Sequence, residues 1–420
     1  MRKAGRLFAM AAMLVAGSTL NGCGDDGATP DSGPTDGGGT DSGYTDAGGD
    51  DAGGEDAGGT DGGSTCEVTD WSAPDFETNA ATALALRTQI ADLSGFMDAH
   101  RDDPSSAPIS SVDDLNAYYE DMGDPSLSEA ITAEYDTVIG KAFNDMVALA
   151  DVGVVSTATD GSGAWDGGPD GGIFEFPSEG VSHALNGAGI EPEQLVDKGM
   201  FAAVSYNYAL TLTEGEITPA TIDSLAAAWG TNATFDTDDT ADAAGYSYSM
   251  GFHEQLTGYL EAAKSYAAAD GCDAELEEAV VDFFRFWEIA IMARAVYYNY
   301  NGLTGVGGAD SDAVIVDELH AWAEGVGLAL GFYGMPDPES GPLVDEGRVI
   351  TDAQIEEMMD AIYVDLDTAD TFNDSMVADE LVGAEPSDIE ERIGMFESPI
   401  MEAYGVTEED VEGWYEETPG

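Results

Sequence analysis

AVVDFFRFWEIAIMARAVYYNY (Ala279–Tyr300) is the run that decides the fold. At helical spacing its apolar side chains cover most of the circumference, the pattern of a helix enclosed by other helices. The sequence therefore predicts a central helix over Ala274–Tyr300. Arg285, Glu288 and Arg294 fall inside this apolar run, where an unpaired charge is costly. The plain reading of Arg294 is an internal salt bridge to a neighbouring helix; contact with a ligand is the alternative.

Outward from this run, apolar residues at three- and four-residue spacing predict helices over Glu77–His100, Ser126–Val152, Glu193–Leu212, Ala241–Ala269, Asp310–Tyr333 and Asp352–Ala369. Shorter ones are predicted over Ser387–Ala403 and Glu408–Tyr415. Thr351 followed by Asp352, and Pro386-Ser387-Asp388, are helix starts. Only Val154–Thr157 and Gly172–Phe176 read as short strands. The fold class is all-α: a large helical bundle over residues 67–420, long enough for two lobes. A Gly- and Asp-rich stretch with Trp165 and Pro169 interrupts it. Asp160, Asp166 and Asp170 lack the alternate spacing of an EF-hand, so this stretch reads as a solvent loop over one bundle end, with a bound cation as the alternative.

The chain ahead of the bundle has another character. Arg2, Lys3 and Arg6 precede an apolar segment, Leu7–Leu20, too short to span a bilayer comfortably. Residues 1–22 read as a signal peptide. Leu20-Asn21-Gly22-Cys23 resembles the bacterial lipobox, which implies that Cys23 becomes the lipidated first residue of the mature chain, with plain secretion as the alternative. A lipid-anchored protein of the cell envelope, at the outer membrane, is the expected localisation, and the membrane is then a partner through the anchor. Gly24–Thr65 repeats Gly, Asp, Ser, Thr and Ala with Tyr44 as its one aromatic. Such a segment buries too little apolar surface to offset its ordering entropy. Residues 23–66 are thus predicted to be a disordered linker. Calcium-binding nonapeptide repeats would need a regularly placed aliphatic, which the stretch lacks.

Acidic residues number 84 against 12 basic ones, a formal net charge of −72. Removal of the leader takes three of those bases and no acid. Phosphate recognition needs clustered Lys and Arg, so nucleic acid is excluded as a partner. Such charge draws cations and strains the compact state. Of the three cysteines, Cys23 is assigned to lipid. In an exported protein the remaining pair, Cys66 and Cys272, is expected to form a disulfide.

No nucleophile elbow, P-loop or dinucleotide-binding fingerprint occurs. Of the four histidines, His100, His183, His253 and His320, His253 attracts most interest. GFHEQLTGYLEAA (Gly251–Ala263) begins like two metal motifs. His-Glu-x-x-His would need a histidine where Thr257 stands. Gly-x-His-x-x-Glu, the imelysin motif, would need a glutamate where Leu256 stands. Glu254 and Glu261 are seven residues apart on one helical face, and His320 and Glu324 are four apart on another. Bundles use such acids and histidines from adjacent helices to hold metals; ordinary polar roles are the alternative.

Three stretches, GIEPEQLVDKGMFAAVSYNYAL (Gly189–Leu210), Gly251–Ala263 and LHAWAEGVGLALGFYG (Leu319–Gly334), resemble in order and spacing an imelysin-like family of bacterial helical lipoproteins. The resemblance covers most of residues 70–400. It implies a helical bundle and an accessory role in iron, other metal or haem acquisition; an outer-membrane receptor is the partner expected beside the membrane itself. Leu256 departs from the family motif. The expected site comprises His253, Glu254, Glu261, His320 and Glu324, with Arg294 from the intervening helix holding a carboxylate or an anionic ligand. The cofactor left open is a divalent metal or iron. A non-enzymatic binding lipoprotein and a metal-free structural or interaction protein of the envelope are the leading readings, ahead of a metallopeptidase.

Overall fold

The computed structural model describes residues 66–103, 107–157, 171–176, 181–235, 242–308, 312–336 and 348–417. The expected leader, Cys23, the linker up to Thr65 and the acidic loop around Trp165 lie outside them. From Ser64 to Gly420 the chain forms one compact unit, not two lobes.

Helices dominate. The fold opens with α1 (Phe76–Asn79), α2 (Ala81–Asp102), α3 (Val112–Tyr119), α4 (Leu127–Ala130) and α5 (Ala133–Val152). Three short strands follow, β1 (Val154–Thr157), β2 (Gly172–Phe176) and β3 (Val181–Leu185). The chain continues through α6 (Pro192–Met200), a π-helical turn (Phe201–Tyr206) and α7 (Asn207–Leu212), then α8 (Pro219–Trp229), α9 (Ala243–Ser249) and α10 (His253–Ala267). It ends with α11 (Asp273–Gly308), α12 (Asp312–Leu330), α13 (Asp352–Ala361), α14 (Val377–Leu381), α15 (Pro386–Tyr404) and α16 (Glu408–Glu412).

The central helix is α11, whose 36 residues extend for about 54 Å at the ordinary rise. Phe283, Phe284, Trp287, Ile291 and Ala295 are all buried in its middle, and α12, α10, α15 and α9 pack around it. Its buried charged groups are hydrogen-bonded or paired. Glu288 is fully buried and accepts from the hydroxyls of Tyr206 and Tyr404 and from the backbone N–H groups of Val349 and Ile350. Arg294 pairs with Glu417 from the C-terminal segment and donates to Tyr298 Oη at 2.8 Å. Its guanidinium also lies over the rings of Tyr246, Tyr297 and Tyr298. The internal salt bridge therefore exists, but to a tail residue and not to a neighbouring helix.

Several predicted helices are subdivided. Glu193–Leu212 contains the π turn, and Ala241–Ala269 breaks where Gly251 takes φ 79°, a left-handed conformation that glycine adopts at little steric cost. The helix predicted to reach Ala369 stops at Ala361. Strand β3 and helices α3, α8 and α14 arise where no element was expected. Helix α8 starts with Thr218 accepting from the Thr221 N–H and with Pro219 in the first turn, a start signal already present in the sequence.

Strand order is β1-β2-β3, with β1 parallel to β2 and β2 antiparallel to β3. The sheet matters for what it touches: β3 packs against α12, α2, α5 and α6. Helix α6 in turn lies unusually close to α12. A β-carbon placed on Gly327 would meet the Gln194 carbonyl oxygen at 2.4 Å, and one on Gly331 would meet that of Gly199 at 2.5 Å. Only glycine allows this approach, which sets the geometry of the site below.

At the other end, Cys66 and Cys272 form a disulfide with Cα atoms 5.8 Å apart. The Thr69 N–H also donates to Ser265 Oγ at 3.0 Å, fastening the entering chain to α10.

Candidate metal centre

Among the described residues, one group of imidazole and carboxylate side chains converges: His183, Glu191 and His320, with one donor atom from each lying within 4.8 Å of the others. Each comes from a different element. His183 is on β3, Glu191 immediately precedes α6 and His320 is on α12.

The turn between β3 and α6 brings His183 and Glu191 together. Asn186 N–H donates to the Ile190 carbonyl at 2.8 Å, and Asn186 Oδ1 accepts from the N–H groups of Ala188 and Ile190 at 3.0 Å each. Asp145 of α5 anchors this turn by accepting from Asn186 Nδ2 at 3.1 Å and from the Phe372 N–H at 2.8 Å. Pro192 begins α6 and Glu191 stands at its cap position without capping it. Its side chain turns back to the sheet instead, where Oε1 accepts from the Ala184 N–H at 3.0 Å.

The other carboxylate oxygen faces both imidazoles. His320 Nδ1 is 2.6 Å from Glu191 Oε2, and His183 Nδ1 is 3.6 Å from the same oxygen. The two rings are 4.3 Å apart, centroid to centroid. The far nitrogen of His183, Nε2, is 3.4 Å from Asp317 Oδ1. Asp317 and His320 are three apart on α12 and so share a face. Glu191 is fully buried, His183 nearly so, and His320 is partly open to solvent.

Burial alone would raise the Glu191 carboxyl, but His320 and then His183 outweigh it and hold it well below the usual carboxylate range. Burial alone would lower the His183 imidazole; the neighbouring carboxylates of Asp317 and Glu191 outweigh that and raise it to about 9. The nearby His183 imidazole likewise lowers Asp317. Glu191 is thus favoured as a carboxylate beside a His183 imidazolium.

The same atoms suit a cation. Two imidazole nitrogens and one carboxylate oxygen are a donor set for zinc or non-haem iron, with coordination positions left for water or another ligand. An imidazole that ligates through one nitrogen usually donates from the other to a carboxylate. His183 is placed for that arrangement, with Nδ1 toward Glu191 and Nε2 within 3.4 Å of Asp317 Oδ1.

The sequence-predicted residues go to different places. Helix α10 packs chiefly on α11 and α8, and α12 chiefly on α11 and α6, so the two helices do not build a shared site. His253 stacks on Trp229 at 5.2 Å. Glu254 is exposed, and Glu261 lines a separate cavity with Lys264 and Trp71. Glu324 shares the His320 face of α12, but its carboxylate is 3.0 Å from Lys198 Nζ on α6. Arg294 is committed to Glu417 and the tyrosine rings. Of the six, only His320 belongs to the convergent group. His183 and Glu191 were the residues missed. The available signal was the Asn186-Gly187 turn, which can bring two residues eight apart face to face.

No family model, curated protein or solved structure matches this chain.

Proposed function

We propose that the protein is a non-enzymatic, lipid-anchored envelope protein that binds a divalent transition metal, Fe(II) or Zn(II), through His183, Glu191 and His320. The observation that carries this reading is the buried convergence of two imidazoles and a carboxylate from three separate elements. Burial of Glu191 and His183 limits competing water on their side of the group, and the mixed donor set favours these metals over calcium or magnesium, which take oxygen ligands. The large negative charge raises the local concentration of cations around the chain.

An accessory role in iron or metal acquisition follows from this reading together with the imelysin-like resemblance and the lipobox-like Cys23. In that role the anchor keeps the protein at the outer membrane, and a receptor there is the expected partner. No described helix is long and apolar enough to cross a membrane.

The test is calorimetric titration of Zn(II) and anaerobic Fe(II) into the full chain and into His320→Ala and Glu191→Gln variants. The expected result is one tight site in the wild type that both substitutions abolish, above a weak background from surface carboxylates. A tight site untouched by either substitution, or none at all, overturns the metal reading. The second outcome favours the metal-free envelope interaction protein.

A further inference from the structure

A second cavity, of about 460 Å³, lies between α2, the π turn, α8 and α9. Its size falls within the range of small-molecule sites. Phe201, Ser205, Ala228 and Trp229 are buried and form its inner surface. The π turn supplies two of these, Phe201 and Ser205, and such turns recur at functional sites. Leu84 and Ile90 add apolar wall from α2. Towards solvent the lining ends in Glu77, Thr88 and Ala91, which are exposed.

The polar lining is asymmetric in charge. Three carboxylates, Glu77, Asp197 and Asp242, stand against one guanidinium, Arg87. Arg87 is matched to Asp242 at 2.6 Å and also donates to the Thr231 carbonyl. Asp197 accepts from Ser94 Oγ, and Lys198 Nζ reaches it at 3.2 Å. Glu77, exposed on the outer lining, is thus the carboxylate placed to meet an incoming charge. An anion would meet this surplus and the field of the whole chain; a cation is favoured by both.

We propose that this cavity binds a small organic cation, an ammonium group carried on an aromatic or aliphatic body. The apolar body fills the space over Phe201 and Trp229, and the ammonium stays at the opening beside Glu77. Both parts are needed. An inorganic cation gains nothing from the apolar interior, and an apolar acid is repelled. This inference is independent of the metal reading, because no His183, Glu191 or His320 atom lines the cavity.

The experiment is calorimetric titration of the full chain, in EDTA, with phenethylamine, phenylpropionate and 2-phenylethanol. Phenethylamine is expected to bind one saturable site, and the other two at least ~10-fold more weakly. Ala91→Trp places a large ring on an exposed position of the opening and should weaken the amine more than ~10-fold without disturbing the core. Glu77→Gln should weaken it by about two- to fivefold. Absence of saturable amine binding, equal binding of the acid or alcohol, or amine binding indifferent to Ala91→Trp overturns the proposal.

Discussion

His320 Nδ1 lies 2.6 Å from Glu191 Oε2, although 129 residues separate the two in the chain. The contact depends on how closely α12 approaches α6, and so on Gly327 and Gly331. Gly327→Ala would drive a methyl group against the Gln194 carbonyl, which belongs to a helix backbone and cannot rotate away. The expected cost is about 1–3 kcal/mol of stability, read from the denaturant midpoint, together with weaker zinc binding. An unchanged midpoint would show that the two helices can part without strain.

Stability should rise on mild acidification. Burial holds the carboxyls of Asp145, Glu318 and Glu397 above their ordinary range, at about 6, 7 and 7 respectively. A carboxyl whose folded value exceeds its unfolded one favours the fold when protonated, so each adds stability as the pH falls from about 7 towards 4. His183, raised to about 9, acts in the same direction: its contribution is complete below about 6.5 and is lost as the pH rises through 9. His100 and His253, which burial lowers, oppose the rise below about 6.5; relief of charge repulsion adds to it. Thermal unfolding in EDTA should give a midpoint several degrees higher at pH 5 than at pH 8. A flat or opposite trend contradicts this balance of groups.

Asp317 is expected to position His183 rather than to ligate metal. Asp317→Ala should weaken zinc affinity by about 10- to 100-fold and leave the stoichiometry unchanged. Because Asp317 is on the exposed side of α12, the circular dichroism spectrum should stay the same. Full retention of affinity would remove Asp317 from the account.

The Cys66–Cys272 bond spans a sequence separation of 206 residues. On the chain-entropy argument its loss costs up to about 5 kcal/mol. The paired Cys66→Ala, Cys272→Ala variant should unfold at clearly lower denaturant, with the entering segment near Trp71 becoming sensitive to protease before the rest. Equal midpoints for the two proteins would show that the entering chain is held by its other contacts alone.

The helical class was legible because the apolar run Ala279–Tyr300 is long and covers most of a helix's circumference, with amphipathic periods on either side of it. Cysteine pairing was likewise expected from composition and setting. The neighbours of each helix were not legible. His253, Glu254 and Glu261 sit on a helix with a suggestive spacing, but spacing fixes only the face of one helix and not the helix it meets. His320 and Glu324 do share a face, yet one turns to Glu191 and the other to Lys198. Strand β3 was missed because five residues, VSHAL, carry too little alternation to register. With it went His183, placed by a turn that Asp145 anchors from a distant helix. Such a constraint is tertiary and leaves no local pattern.

The most direct test of the metal reading is the zinc X-ray absorption spectrum of the full chain loaded with one equivalent of Zn(II). Surface carboxylates are so numerous that bound zinc alone proves little; the ligand atoms decide. The expected spectrum shows nearest neighbours of mixed nitrogen and oxygen, with the outer-shell scattering of two imidazoles that disappears in the His183→Ala, His320→Ala variant. A shell of oxygen alone, with no imidazole scattering in the wild type, would contradict it.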